Sequence, residues 1–344
     1  MKKIQSNLKE KGGCYVIAEA GLNHNGSIDI AKKLVDVAVI AGADAVKFQK
    51  RTVDKLAIQS VLDAVDTRFP EFGSTYREIR EHLEFDYAEY SEIKKYTEDK
   101  GIEFIATAFD EEAVDFLENL GLAKYKLASH SLTNIGLLNY LAKIKKPTIM
   151  STGMSSIDEI DTAVEIFQSH GSQLSLMHCV SAYPTPFSDC NLMMMDILKD
   201  RYHLPTGYSG HEIGYLPTIA AVARGAQLVE RHFTLDKNMI GFDHKISLEP
   251  DELIAMIKDI RSTEKIIGDG IKEVSEAEWI TRKKYHVSMA SAANILPGTV
   301  LSENHIVYRN PGTGIPYKDS HLLLGKKAKK EIAKDQLLAF EMFE

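Results

Sequence analysis

The chain has 344 residues, of which 44% are hydrophobic and 26% are charged, as in a soluble globular protein. Its formal net charge of -8 argues against nucleic acid and anionic membranes as its main partners. The length is too great for one ordinary core, so we expect a barrel-sized domain together with a small one.

Two further features bear on the compartment. The three cysteines, Cys14, Cys179 and Cys190, form no CxxC pair and are odd in number, so neither a disulfide framework nor a structural zinc site is expected. The first twelve residues contain no apolar h-region, and the most apolar later stretch, residues 213–229, is interrupted by a proline and an arginine. We therefore expect a cytoplasmic protein with neither a signal peptide nor a membrane span.

From residue 15 onward, short apolar runs rich in β-branched residues alternate with stretches of helical period. The runs predict eight strands, at residues 15–18, 45–48, 104–106, 125–127, 147–150, 174–177, 206–208 and 228–229. Eight strand-plus-helix units over roughly 250 residues indicate a TIM (β/α)₈ barrel, whereas an open doubly wound sheet usually needs fewer. No GxGxxG motif follows the first strand, which disfavours a dinucleotide-binding domain.

The helices between these strands have recognisable ends. The first follows the i, i+3, i+4 period from Ile28 and is predicted to stop at Gly42. Ser156 and Glu159 have the spacing of a capping box and open the fifth helix. Residues 51–84 form a long polar segment after the second strand, on the face where barrel active sites form.

The pattern changes after the last barrel helix, predicted over residues 250–267. Short runs punctuated by Pro and Gly, without helical period, predict a compact β-rich module of about 60 residues. We place the barrel domain at 1–270, a linker at 271–286 and the small module at 287–344. A core so small is marginal alone, so we expect the module to dock on another surface.

The seventh and eighth strands each run into a histidine, His211 and His232. Neutral imidazole is the commonest protein ligand for a divalent metal, and two of them at the ends of neighbouring parallel strands could converge on one ion. No third histidine or cysteine is near, which suggests open positions for oxygen ligands and water, and hence a manganese- or magnesium-like ion. On spacing alone, hydrogen-bonded scaffold histidines are the alternative.

Polar residues at the other strand ends are candidates as a set, because the strand ends of a barrel converge on one mouth. They are Glu19, Asn23, His24, Lys47, Gln49, Thr107, Lys126, Ser129, Ser151, Thr152, His178, Ser181, Tyr183, Ser209 and Glu230. Two lysines among several hydroxyls favour an anion carrying phosphate or carboxylate. Ser129 and Ser151 could instead serve turns and helix starts. His24, His178 and Cys179 are interpreted as packing residues by default.

Seven longer segments contain these residues. They read IAEAGLNHNG at 17–26, VKFQ at 46–49, YKLAS at 125–129, STGM at 151–154, SAYP at 181–184, GYSGH at 207–211 and ERHFT at 230–234. In that order they resemble the signature segments of the N-acetylneuraminate (sialic acid) synthase family. The likeness covers nearly the whole chain from residue 15, and several long motifs in the right order make it specific.

The resemblance implies a TIM barrel joined to a C-terminal antifreeze-like (SAF) domain. It also implies a domain-swapped homodimer in which each small domain helps to cover the partner's barrel. The implied enzyme is a transferase that condenses phosphoenolpyruvate with N-acetylmannosamine or a related open-chain sugar aldehyde, using Mn²⁺ or Mg²⁺. The products are a nine-carbon 2-keto sugar acid and phosphate, which leaves by C–O cleavage.

The family's functional positions are matched residue by residue. His211 and His232 match the metal ligands, and Glu19 is suited to handle the proton of the water that takes part in the reaction. The positions that hold phosphoenolpyruvate are matched by Lys47, Thr107, Lys126, Ser129, Ser151 and Ser209. Those that face the sugar or the water are matched by Glu19, Gln49, Tyr183 and Asp243, and by Ser181, where many bacterial members carry asparagine.

One position departs from the family pattern in the small domain. There the substrate-reaching arginine usually precedes Pro-Gly directly, but this chain reads Arg309-Asn310-Pro311-Gly312. An ungapped register puts Asn310 at the arginine's place. With a local shift of the chain, Arg309 could reach the substrate instead, so both residues are candidates.

The choice of sugar stays open at this point. Residues 48–51 and 72–85 are more like the branch that includes the animal enzymes, which take the 6-phosphorylated sugar, and Arg51, Arg68 and Arg77 could bind a second phosphate. Free N-acetylmannosamine, its 6-phosphate and precursors of legionaminic-type acids all remain candidates. The rival functions are a synthase of shorter 2-keto sugar acids, an ice- or glycan-binding protein with a retired barrel, and a two-histidine metal hydrolase.

Overall fold

The structure is a computed structural model that describes residues 13–344. The expectation that the first twelve residues carry no signal peptide therefore lies outside the described residues. The chain divides into two compact units, Met1–Gly268 and Asp269–Glu344. Within residues 13–344, no helix is both long and apolar enough to cross a bilayer.

The first unit contains a closed barrel of eight parallel strands that follow one another in chain order. The strands are β1 (Tyr15–Gly21), β2 (Ala45–Lys50), β3 (Glu103–Ala108), β4 (Tyr125–Leu127), β5 (Thr148–Ser151), β6 (Leu174–Cys179), β7 (Thr206–Gly210) and β8 (Leu228–His232). The predicted TIM barrel is confirmed. Several strands run further at their carboxyl ends than predicted, because ladder pairing continues into polar residues such as Gln49, opposite Thr107.

The helices surround this barrel or belong to the second unit. They are α1 (Ile28–Ala41), α2 (Gln59–Leu62), α3 (Tyr76–Leu83), α4 (Tyr87–Lys100), α5 (Glu111–Asn119), α6 (Ile135–Ile144), α7 (Ile157–Ser169), α8 (Met194–Tyr202), α9 (Leu216–Ala223), α10 (Pro250–Ile267) and α11 (Glu276–Tyr285). The predicted ends of α1 and α7 are confirmed: Gly42 closes α1 at a φ of 81°, and Ser156 and Glu159 form a reciprocal capping box.

The long polar segment after β2, residues 51–84, contains helices and packs against the barrel. It forms α2 and α3, and the apolar side of α3 packs back on the barrel through Ile79 and Leu83, which contact Leu22. This packing holds α3 over the mouth of the barrel.

The barrel interior is built in layers. One level is filled by four buried apolar side chains, Ile17, Ile149, Met177 and Leu228. Two residues further along the same strands stand Glu19, Ser151, Cys179 and Glu230. Since side chains alternate along a strand, both sets face inward. The barrel therefore has an apolar floor beneath a polar mouth.

The second unit has its own core, in which Met289, Leu323, Ile332 and Phe343 are buried. It contains α11 and a two-stranded antiparallel sheet of β9 (Ser288–Ser291) and β10 (Ile306–Arg309). Residues 271–286, expected as a linker, include α11 and cluster with this unit.

Candidate active site

The carboxyl ends of the barrel strands open on a cavity of about 320 Å³, a size that suits small ligands. Its walls contain every barrel residue of the expected site: Glu19, Lys47, Gln49, Thr107, Lys126, Ser129, Ser151, Ser181, Tyr183, Ser209, His211, His232 and Asp243. The fold thus brings these residues together from seven of the eight strands and from loops, including the one after β6.

Lys47 lies at the base of this cavity and is almost completely buried. Its ammonium is 2.9 Å from Glu19 Oε2 and donates a 2.6 Å hydrogen bond to Thr107 Oγ1. Glu19 in turn accepts a 2.6 Å hydrogen bond from Gln49 Nε2. The carboxylate of Glu19 is therefore held on both sides and faces the cavity.

Lys126 is the second buried lysine of the cavity, and it donates a 2.6 Å hydrogen bond to Ser151 Oγ. Glu230 stands between the two ammonium groups, 3.7 Å from Lys47 and 3.7 Å from Lys126. Burial alone would raise the pKa of Glu230, but Lys126 and Lys47 outweigh it, so the pKa falls and the carboxylate stays ionised. Burial lowers the pKa of Lys126.

Glu230 was only one of the strand-end residues in the sequence and was not assigned a role. The signal that could have singled it out is its place two residues before His232, which puts both side chains on the inner face of β8. Ser209 on β7 donates to its Oε1 at 3.5 Å. Glu230 fixes the two lysines on the inner face and leaves their remaining N–H groups for a ligand.

Gly153, Ser129 and Ser181 lie close together at the cavity wall. The backbone N–H of Gly153 donates a 2.9 Å hydrogen bond to Ser129 Oγ. A Cβ atom on Gly153 would overlap Ser181 Oγ and lie 2.9 Å from Ser129 Oγ. Ser129 is therefore more than a turn residue, and the glycine lets both hydroxyls pack closely against the backbone at the cavity wall. Hydroxyls and backbone N–H groups of this kind bind the oxygens of an anion.

His211 and His232 face each other across the cavity, with ring centroids 5.5 Å apart. His211 Nδ1 is 2.9 Å from the Val180 carbonyl oxygen, which can only accept, so the proton lies on Nδ1 and Nε2 keeps its lone pair. Burial lowers the pKa of both imidazoles, which favours the neutral form that binds metals.

These residues fit a divalent metal ion. His232 Nδ1 is buried without a hydrogen-bond partner, and Asp243 Oδ2 lies 3.9 Å from it. Across residues 13–344, no three His, Cys, Asp or Glu side chains are grouped so that they alone could hold a metal. An ion held by the two histidines would thus complete its shell with oxygen atoms from water or substrate, as manganese and magnesium do.

Two further residues border the histidine pair. The ring of Tyr183 lies over His211 with centroids 4.2 Å apart. Cys179, interpreted from sequence as packing, also lines the cavity, and its Sγ is 3.8 Å from His211 Nδ1. Burial raises the pKa of the Cys179 thiol, so it is no nucleophile. His24 and His178 pack against Phe85 and Tyr208, as expected.

Arginines occupy the outer wall. Arg51 and Arg80 line the cavity, whereas Arg68 forms an ion pair with Asp66 and Arg77 forms ion pairs with acidic side chains of the same segment. Arg51 is 7% exposed; it donates to Gln49 Oε1, and its Nη1 has no hydrogen-bond partner and lies 3.6 Å from Glu84. Arg80 was missed because α3 reaches the barrel only through contacts between residues far apart in sequence.

Arg309 belongs to the second unit, at the end of β10. Its side chain is 57% exposed, and its Nε lies 3.3 Å from Asp335 Oδ1. The guanidinium thus stands at the surface of that unit, where most of its N–H groups are free for another partner.

Comparison with known proteins shows which family this chain is similar to. Residues 34–272 match the NeuB family. N,N'-diacetyllegionaminic acid synthase of Campylobacter jejuni is 38% identical, covering 94% of this chain and 98% of that protein. Human N-acetylneuraminate-9-phosphate synthase is 35% identical, with coverages of 96% and 92%. The crystal structure of N-acetylneuraminic acid synthetase from Leptospira borgpetersenii superposes with a TM-score of 0.68 at 35% identity, covering 78% of this chain and 90% of that one.

Proposed function

This chain belongs to the NeuB family, and on that premise we propose that it condenses phosphoenolpyruvate with an acylamino sugar to give a nonulosonic acid and inorganic phosphate. The observation that carries the proposal is the pair of buried lysines, Lys47 and Lys126, held on either side of Glu230 beside two facing histidines. Phosphoenolpyruvate is a small trianion, and an aldehyde needs an electrophilic centre next to it.

The reaction joins two carbons and splits one C–O bond. C3 of the enolpyruvate attacks the aldehyde carbon of the open-chain sugar, whose oxygen takes up a proton. Water adds to C2, the bond between C2 and the phosphate oxygen breaks, and a 2-keto acid and phosphate remain. Lys47, Lys126 and the Ser129 hydroxyl bind and orient the phosphoenolpyruvate. Glu19, held by Lys47 and Gln49, accepts the proton of the water.

His211 and His232 would hold the divalent ion, which we propose to be Mn²⁺ or Mg²⁺. When bound, such an ion acts as a Lewis acid that polarises the aldehyde oxygen. Tyr183 and Asp243 border the histidines and are proposed to face the sugar. The support for these roles is the neutral state of the imidazoles and the unpartnered Nδ1 of His232.

N-Acetylmannosamine or a related acylamino sugar is the proposed acceptor. The 6-phosphorylated sugar is a second candidate, because Arg51 Nη1 is buried in the cavity wall without a hydrogen-bond partner. A legionaminic-type precursor is a third, since that activity is in the name of a relative 38% identical to this chain.

The second unit is proposed to be an antifreeze-like (SAF) domain that acts in a domain-swapped homodimer. In this arrangement Arg309 of one chain binds the sugar at the barrel of the other. The exposure of Arg309 and the separate small core of its unit support the proposal.

The test is phosphate release from phosphoenolpyruvate, measured with and without Mn²⁺. The acceptor panel contains N-acetylmannosamine, its 6-phosphate and 2,4-diacetamido hexoses. We expect release with at least one sugar, dependent on the metal and abolished in His211→Ala and His232→Ala variants that remain folded by circular dichroism. No release with any sugar would overturn the proposed reaction. Full turnover by a metal-free His211→Ala, His232→Ala double variant would overturn the role of the histidines.

A further inference from the structure

A buried ion pair lies on the outer side of the barrel wall, directly behind the two histidines. Glu212 follows His211, and Arg231 precedes His232. Arg231 Nη1 contacts Glu212 Oε1, and both side chains are completely buried. Along β8 the side chains alternate, so His232 faces the cavity and Arg231 faces the helix layer, where it bonds Thr218 of α9. Glu212, just beyond β7, meets Arg231 on that outer side, whereas His211 lines the cavity.

The partners of Glu212 and Arg231 tie three elements together. Arg231 Nη2 donates a 2.8 Å hydrogen bond to the Glu212 backbone carbonyl, and Nη1 donates one of 3.2 Å to Thr218 of α9. Tyr208 of β7 donates a 3.0 Å hydrogen bond to Glu212 Oε2. A Cβ atom at Gly210 would lie 2.5 Å from that same oxygen, so the glycine leaves room for the carboxylate to fold back along β7.

His211 needs support of this kind because it lies one residue beyond the end of β7. The last ladder pair between β7 and β8 joins Gly210 to Arg231, so the β-sheet itself does not fix His211. On the cavity side, its ring bonds the Val180 carbonyl oxygen. On the outer side, Arg231 of the neighbouring strand holds the backbone of the very next residue.

A gain in folding stability does not explain why this pair is buried here. Removing two charges from water costs free energy. Replacing a buried ion pair by uncharged, well-packed side chains of similar volume often leaves protein stability unchanged or increases it. A bidentate guanidinium does supply a fixed distance, since its planar N–H groups bridge a carboxylate and a carbonyl at once.

We propose that Glu212 and Arg231 are positioning residues that set the spacing of His211 and His232, and thereby the affinity of this site for its divalent metal. The inference rests on the proposed function, in which the two histidines hold the ion. Partners behind metal ligands typically change affinity by about 10- to 100-fold when they are lost.

The test uses direct metal binding. Dissociation constants for Mn²⁺ are measured from the EPR signal of the free ion without substrates, and phosphoenolpyruvate binding is measured by calorimetry in EDTA. The double variant Glu212→Gln, Arg231→Met removes both charges and keeps side chains of nearly the same volume. We expect it to melt near the wild-type temperature, to bind Mn²⁺ at least about tenfold more weakly, and to bind phosphoenolpyruvate as the wild type does.

Two single variants complete the design. Arg231→Lys keeps the charge but cannot bridge both oxygens, so its Mn²⁺ affinity should fall between those of the wild type and the double variant. Thr218→Val is the matched control: it removes one hydrogen bond of Arg231 without touching the link between the strands, and should bind Mn²⁺ as the wild type does.

A folded double variant with wild-type Mn²⁺ affinity overturns the proposal, and so does an equal loss of metal and phosphoenolpyruvate binding, which would indicate general loosening. If the double variant does not fold, wild-type Mn²⁺ affinity of Arg231→Lys overturns it. If the wild-type protein binds no Mn²⁺, the metal role in the proposed function fails, whereas phosphate release still tests the condensation separately.

Discussion

Charge at the level of single residues decides what this cavity can bind. Glu19 and Glu230 compensate Lys47 and Lys126 closely enough to bury all four side chains. A buried charge without a partner is costly, whereas a buried ammonium beside a carboxylate is compensated and can donate a hydrogen bond to an anion. Glu19 and Glu230 thus keep both lysine side chains ion-paired in the cavity before any substrate binds.

Lys126→Met should weaken phosphoenolpyruvate binding by roughly 10- to 100-fold, because a hydrogen bond to a charged group contributes about 1.5–3 kcal/mol. Calorimetric titration measures this. Lys124→Met is the control, since Lys124 lies just before β4 at the opposite end of the barrel, 3.0 Å from Glu103. Equal affinities in the two variants would contradict the role of Lys126.

At the level of elements, the close approach of β7 to β8 places the histidines. Gly207 stands where a Cβ atom would overlap the Leu228 carbonyl oxygen, so the two strands can pair at this distance only because the residue is glycine. The pairing continues to Gly210 opposite Arg231, and the next residue in each chain is the histidine, His211 or His232.

Gly207→Ala should lower the free energy of unfolding by on the order of 3 kcal/mol, since the strand must move or the core is overpacked. Chemical denaturation measures the change. Gly136→Ala in α6 is the control, because its added methyl group would meet only side-chain oxygens, those of Glu111 at 3.0 Å and Asn134 at 3.4 Å, and no backbone atom. A Gly207→Ala protein as stable as this control would show that the strands are free to separate.

The same elements show what the sequence could and could not predict. Local patterns were enough for the eight strands, for the capping box at Ser156 and for the convergence of the strand ends, since each depends on neighbouring residues or on barrel symmetry. The position of Arg80 depends on α3 packing against Leu22, and that of Glu230 on lysines from two other strands. Such contacts between distant segments leave no local pattern.

At the level of the whole molecule, each of the two units has a main hydrophobic core of its own. The proposed assembly assigns them different tasks: the barrel holds phosphoenolpyruvate and metal, and the small unit supplies Arg309 to the sugar. A site shared between chains can be tested with variants that are each defective in a different unit.

His211→Ala and Arg309→Met should each be inactive, and mixing them should restore activity. In an equal mixture about half of the dimers are mixed, and each mixed dimer has one complete site, so about a quarter of wild-type activity is expected. Phosphate release measures the recovery, and native mass spectrometry verifies that subunits have exchanged. No recovery after exchange would contradict sharing in trans, and full activity of Arg309→Met alone would contradict the role of Arg309.

The floor formed by Ile17, Ile149, Met177 and Leu228 gives the barrel a closed end. A molecule held by the lysines just above that floor would enter and leave through the mouth of the barrel, which is lined by the histidines and Tyr183. For the proposed condensation we therefore expect an ordered reaction. Phosphoenolpyruvate binds before the sugar, and the sugar acid is released before the inorganic phosphate. Four apolar side chains that close one end of the barrel would then set the order in which substrates bind and products leave.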